Sequence, residues 1–261
     1  PDFVLNKKGL GVLHTLLGAI PENFKWTLTM VGMQGDVAMG LGELEQLLID
    51  IKDDNQLNIY NTEVLFLMSF LQLNMTNDKS DYQELLDRIG SAYTDSYLLN
   101  FAAARLANKL GRNDYCIQII KSKPNNIDKY PFYYLDYLLG MSYLYQLDYI
   151  KAENLFESFI SSFKGVNYIK SAYHKLAWIA YLKEDINLMQ SYFKSTIENG
   201  YLFIDEDKKA ENDAKHNAIA HPFLLKARLL YDGGYYLKAQ SELDCIDSPL
   251  LFSNTNNSIE Y

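Results

Sequence analysis

The chain has 261 residues, 48% hydrophobic and 22% charged, an ordinary globular composition long enough for one or two domains. A net charge of −9 and a pI near 5.0 argue against non-specific nucleic-acid binding, which needs basic patches to displace counterions, and against docking on anionic lipid by charge. No run reaches the roughly 18 apolar residues of a membrane span, and no basic leader with a cleavage site is visible, so a soluble chain of the cytoplasm or periplasm is expected.

Residues 1–55 read as a glycine-rich helical block. Leu10, Val12, Leu13, Leu16 and Leu17 recur at helical spacing until Pro21 stops the run. Phe24–Met33 continues the helical pattern. After the turn Gly32-Met-Gln-Gly35, Asp36 stands where it can cap a third helix over Val37–Ile51. Half of the fourteen glycines fall in the first 42 residues. Inside helices each costs about 1 kcal/mol against alanine, so they need a reason: closely crossing helices, or a loop cradling phosphate. Gly9-Leu-Gly11 and Gly40-Leu-Gly42 lack the third glycine of a dinucleotide fingerprint and follow no strand, which favours close crossing.

The same block resembles a known family. Gly9-Leu-Gly11-Val-Leu-His14, Leu16-Leu17-Gly-Ala-Ile-Pro21, Val31-Gly32-Met-Gln-Gly35-Asp36, and Gly40-Leu41 followed by Leu44 are similar to the opening of the inclusion-body-clearance family, also called the tetratricopeptide repeat protein 39 family. Glu22 replaces that motif's second proline, Met33 its aromatic residue and Val37 its arginine. The resemblance ends near Leu44 in motif and continues only as generic repeats. It implies a helical protein without catalytic residues, some members being linked to lipid droplets or mitochondrial surfaces. It carries no active residue onto this chain.

Residues 56–261 read as helical hairpins at about 61–92, 96–122, 133–163, 167–198 and 217–246. In the clearest, 133–163, Leu139, Gly140 and Tyr143 share one face of the first helix, and Tyr149, Ala152, Phe156 and Phe159 one face of the second. That is the spacing of a tetratricopeptide repeat, whose apolar face needs a neighbour to bury it. Leu176, Ala177, Ile186, Met189 and Phe193 repeat the scheme, Cys116 and Ile120 anticipate it, and Gly234-x-Tyr236-x-x-Ala239 closes it. The polar run Thr76–Asp81 separates one pair, Gly111 stops a helix, and Pro124 and Pro131 bracket a linker. The small positions Cys116, Ala152, Met189 and Ala239 are 36, 37 and 50 residues apart, against a period of about 34. The excess falls on Asp205–Asn217, charged and without an apolar face. It is expected to be a solvated helix extension or loop, or a docking element that orders on a partner.

The expected fold is therefore all-α: a tetratricopeptide-like antiparallel helical-hairpin solenoid, an α–α superhelix, in one continuous domain with the glycine-rich block packed on the repeats. A start without Met and a helix-like end at Ser258–Tyr261 suggest a piece of a longer stack. First helices of such a stack line a concave groove. Opposite the packing stripe they carry Arg105 and Asn108, then Tyr134, Tyr137, Met141 and Tyr145, then His174, Trp178 and Tyr181, then Arg228 and Tyr231. Tyr, Trp and Arg dominate interface hot spots. A protein or peptide partner, of unknown identity, is the expected occupant; plain packing against neighbouring helices and a small apolar or lipid ligand are the other readings.

No chemistry is apparent. His14, His174, His216 and His221 form no metal-binding pair at one-turn spacing, the acidic pairs lie in polar breaks, and no nucleophile elbow occurs. Cys116 reads as a small packed residue, and with Cys245 makes no disulfide framework. No catalytic residue, metal or cofactor is expected. The leading expectation is a non-catalytic interaction scaffold. The alternatives are an enzyme or small-molecule or lipid carrier with a pocket between the amino-terminal block and the repeats, and a purely architectural part of a larger protein.

Overall fold

The computed structural model describes residues 3–30, 32–125 and 131–245, and among these every regular element is helical. The backbone divides into two compact units, residues 1–126 and 127–261. The division falls at the Pro124–Pro131 linker.

The first unit contains α1 (Asn6–Gly18), α2 (Lys25–Met30), α3 (Val37–Ile51), α4 (Asn61–Met75), α5 (Lys79–Ile89), α6 (Tyr97–Lys109) and α7 (Asn113–Lys121). The expected cap is in place: the Asp36 carboxylate accepts the Met39 N–H at 2.9 Å and starts α3. Helix α3 packs on α1 and α4, while α6 packs on α4, α5 and α7. Close crossing explains the glycines. A Cβ at Gly11 would stand 2.8 Å from the Gly40 carbonyl oxygen, and one at Gly40 would overlap the Gly11 carbonyl and the Thr15 hydroxyl. Backbone carbonyls cannot swing away as a side chain can, so no residue with a Cβ fits this crossing. Polar side chains of α1 reach neighbouring helices at the surface: Lys7 pairs with Asp50 at 2.6 Å, Lys8 with Glu63 at 2.9 Å, and His14 Nδ1 lies 2.8 Å from Glu43. Its leucines Leu10, Leu13 and Leu16 are left exposed.

The second unit contains α8 (Tyr134–Tyr145), α9 (Tyr149–Ser162), α10 (Ile169–Leu182), α11 (Ile186–Glu198), α12 (Asp205–Lys215), α13 (Pro222–Asp232) and α14 (Tyr236–Asp244). Three hairpins form, α8–α9, α10–α11 and α13–α14. Each turns by the same device. The first helix ends two residues before a left-handed position: Leu147 (φ 60°), Glu184 (φ 62°) and Gly234 (φ 82°). The next N–H then reaches back five residues, from Asp148 to Tyr143 at 3.0 Å, from Asp185 to Ala180 at 2.9 Å and from Tyr235 to Leu230 at 2.8 Å. This is the Schellman closure. It recurs in the first unit, where Gly111 (φ 72°) lets Arg112 reach Ala107 at 2.9 Å. Asp148 and Asp185 then cap the second helices by accepting from Lys151 and Leu188.

Core residues of the second unit follow the expected register. Ala152, Phe156, Phe159, Leu176, Ala177, Met189, Phe193 and Ala239 are all buried. Gly140 lets the Phe156 ring approach: an added Cβ would meet it at 3.0 Å. Leu139, Tyr143 and Tyr149, expected on the packing stripe, are only partly buried, and Ile186, expected there too, is exposed at the start of α11. Asp205–Asn217 departs from expectation. Most of it forms α12, which packs on α10 and α11 and buries Asp207, Ala210, Glu211 and Ala214. These recur at helical spacing, so the stripe exists but is built from two alanines and two acids. The last hairpin then finds its main outside neighbour in α8.

The α1–α3 crossing makes a direct prediction. Gly40→Ala should destabilise the first unit by about 1–3 kcal/mol, the usual cost of overpacking, whereas Gly42→Ala, whose Cβ would meet nothing within 4 Å, should be neutral or slightly stabilising. Urea unfolding of both variants, monitored by hydrogen exchange of α1 and α3, measures the difference.

Candidate interaction surface

Helix α10 is the hub of the second unit, packing on α9, α11 and α12, and its start is held by another helix. Tyr168, the residue before α10, has φ 66° and offers no capping side chain. Asp207 of α12 supplies the cap instead: its two carboxylate oxygens accept the N–H of Tyr168 at 2.7 Å and of Ser171 at 2.9 Å. Burial still raises the Asp207 pKa, opposed by those two N–H groups.

Beside it, Lys170 is an almost fully buried ammonium. It donates to the carbonyls of Thr196 and Ile197, each at 3.0 Å, and pairs with Glu211 at 2.7 Å, the two side chains being 4% and 10% exposed. Lys170 thus closes the carboxyl end of α11, where unpaired carbonyls and the helix dipole favour a cation. Its hydrogen bond, followed by that of Lys215, holds the Glu211 carboxyl below its usual range.

The other face of α10 carries the aromatic groups. Trp178 is half-buried, and the Lys175 ammonium stands 3.4 Å from its ring centre, a cation–π contact. No carboxylate among the described residues pairs with Lys175. Burial pushes its amine down to about 7, against the pull of Asp213 and reinforced by Lys209. His174 lies on the inner side, its ring edge-on to Trp178 at 5.0 Å and tilted to Phe193 at 5.9 Å. Its Nε2 has no hydrogen-bond partner, with Asp213 at 3.9 Å. Burial, with Lys175 and Lys209 nearby, holds the imidazole well below 6.5 and therefore neutral.

The residues expected to line a groove divide into four groups. Tyr137 and His174 are interior, only 5% and 2% exposed, so neither can touch a partner. The register is corrected there for a physical reason. Helix α8 meets both α9 and α13, and Tyr137 fills the gap between Phe156 and Phe159 at 5.6 and 5.5 Å while its hydroxyl shares a 2.8 Å hydrogen bond with Ser171. Tyr134, Met141, Tyr145, Trp178 and Tyr181 are partly buried and rest on the same core cluster. Arg228 and Tyr231 are exposed on α13, and the Arg228 Nε–H lies 2.8 and 2.9 Å from the two Asp232 oxygens. Arg105 and Asn108 are half-buried on α6 of the first unit.

An open cleft of about 340 Å³ lies between α11 and α12, with Phe193, Ile197 and Ala214 inside and Lys194, Glu198 and Lys215 among its polar lining. Its lining holds no nucleophile beside a base. Among the described residues no group of three His, Cys, Asp or Glu is placed to hold a metal ion, and no helix is long and apolar enough to cross a membrane. Residue type does not single out Asp207, Lys170 and Glu211, because a charged residue is ordinarily a sign of solvent. For Asp207 and Glu211, the helical spacing to Ala210 and Ala214 is the available signal.

Two measurements probe these groups. Glu211→Ala should cost about 3–5 kcal/mol, since it strands a buried ammonium; Lys170→Met should cost less, and Lys170→Met with Glu211→Leu should recover part of the loss in chemical unfolding. His174 makes stability depend on pH. Its folded pKa lies below the unfolded 6.5, so its contribution is complete above 6.5 and is lost as the pH falls and the unfolded chain takes up the extra proton. Groups facing it are Lys175 on α10 and Lys209 and Asp213 on α12. Asp213, whose pKa burial raises, acts in the opposite sense at lower pH. The thermal midpoint of His174→Gln should therefore fall less steeply than that of the native chain between about pH 7 and 5.5; equal slopes would show that the folded imidazole takes up its proton at the same pH as the unfolded one. Comparison of the chain with protein-family models, with curated proteins and with solved structures finds no match.

Proposed function

We propose that the chain is a non-catalytic interaction module that holds a protein or peptide partner against the aromatic face of α8 and α10. The observation that carries this reading is the cluster on α10: Trp178 with Lys175 on its ring at 3.4 Å, and Tyr181 one turn on, all partly exposed. A half-desolvated indole with the Lys175 amine against its ring presents apolar area, a ring N–H and a nitrogen that gains positive charge as the pH falls through about 7, the kinds of group that make interface hot spots. A net charge of −9 disfavours nucleic acid as that partner.

We further read the hairpins as tetratricopeptide-type units, distantly akin to the inclusion-body-clearance family. The recurring Schellman closures and the small residues Gly140, Ala152, Ala177 and Ala239 at the crossings support that reading. In capture experiments with the full chain as bait, Trp178→Ala and Tyr181→Ala together should lower partner recovery at least about tenfold, the loss of a hot spot of roughly 1.4 kcal/mol or more. Undiminished recovery by a variant with native circular dichroism would refute the assignment of this face. Tyr137→Ala is unsuitable, since its interior side chain would report folding.

A further inference from the structure

Resting on that reading, we propose that the α13–α14 hairpin is an exchangeable occupant of the aromatic face of α8 and α10, and that the partner this face takes is an amphipathic helix with leucines four residues apart. Helix α13 already makes the contact such a partner would make. Leu225 and Leu229, one turn apart and 3% and 1% exposed, sit in one cluster with Leu144 of α8 and Leu176 and Ile179 of α10. That is the helix-in-groove mode, in which residues at i and i+4 anchor an otherwise polar helix.

The fit extends to the end of α13. Gly233 comes so near α8 that an added Cβ would stand 2.8 Å from Tyr145 Cβ, and Gln146 donates to the Tyr235 hydroxyl at 3.1 Å.

Among the described residues, the hairpin is held from one side. In α14 only Ala239 is buried, while Leu237 is 83% exposed and Tyr236 and Leu243 about half exposed. Its tether, residues 216–221, belongs to no regular element; Asn217 (φ 49°) closes α12 with the Ala218 N–H on the Asp213 carbonyl at 2.8 Å and Ile219 packs on the core, which leaves residues 220 and 221 as the hinge. Release therefore costs the α13 contacts and leaves the hubs α10 and α12 joined. A partner competes with a tethered ligand, so its apparent affinity is reduced by the fraction of time the face is open.

The test uses the full chain and a labelled peptide of residues 220–235. Hydrogen exchange should show α13 and α14 opening together in a step smaller than the unfolding of α8–α11. Gly233→Val, which wedges α13 from Tyr145, should bind the peptide at least about tenfold more tightly than the native chain, and a peptide with Leu225→Asp and Leu229→Asp should not bind. Gln146→Ala serves as a milder second variant if the wedge perturbs folding by circular dichroism. Exchange of α13 only with the unfolding of the whole second unit, or equal peptide binding by native and loosened chains, would overturn the proposal. Peptide binding that survives while Trp178→Ala leaves partner capture intact would overturn the earlier functional reading alone.

Discussion

The second unit depends on one carboxylate. Asp207 bonds both the N–H of the residue before α10 and that of its third residue, the two donors that a capping box satisfies with two separate side chains. Here one side chain does both, and it comes from a different helix. Without it α10 would begin at a left-handed Tyr168 with buried donors unpaired, at a cost of about 1–3 kcal/mol for each such group. The bond also fixes where α12 lies, since the cap works only if α12 crosses the start of α10. Lys170 repeats the logic at the opposite pole, closing α11 and pairing with Glu211 on the same face of α12. Two helix ends and one helix face thus interlock through groups that would each be costly alone, and apolar burial can then proceed around a fixed α10.

Hairpin closure is the second constraint, and it is local. Four turns share a left-handed residue and a backward N–H bond, though the residue is Gly111, Leu147, Glu184 or Gly234. A left-handed L-residue costs about 1–2 kcal/mol. That two non-glycine residues bear this strain means the surrounding packing dictates the turn. Asp148 and Asp185 directly after two of these turns cap the next helix, so two successive residues reverse the chain and restart it.

Much of this was legible. Glycine spacing in the first block pointed to close crossing, and Gly11 against Gly40 is such a crossing. Ala152, Phe156, Met189 and Phe193 announced the faces they bury. Less legible was anything that depends on which helix meets which. The 205–217 segment carries so many charges that its buried face looked like a solvated one; a carboxylate aimed at a helix end and one aimed at water are written with the same letter. Tyr137 and His174 were misplaced for a related reason. Periodicity assigns residues to faces of one helix, but α10 is covered on several sides, so a residue opposite one packing stripe can lie on another.

That crowding also limits where a partner can sit. On a first helix buried along two stripes, the remaining strip is narrow, and on α10 it carries Lys175, Trp178 and Tyr181. Burying one large apolar side chain contributes about 1.5–3 kcal/mol, so Leu225 and Leu229 contribute a few kcal/mol to holding α13 in place. A bare α14 adds little to that. A partner offering the same two anchors therefore meets a competitor of similar strength, and the outcome turns on what else it contacts. The half-buried ring of Trp178 and Tyr181 pack on the same cluster as Leu225 and Leu229, and a longer helix on that seat could cover more of them than α13, which ends at Asp232.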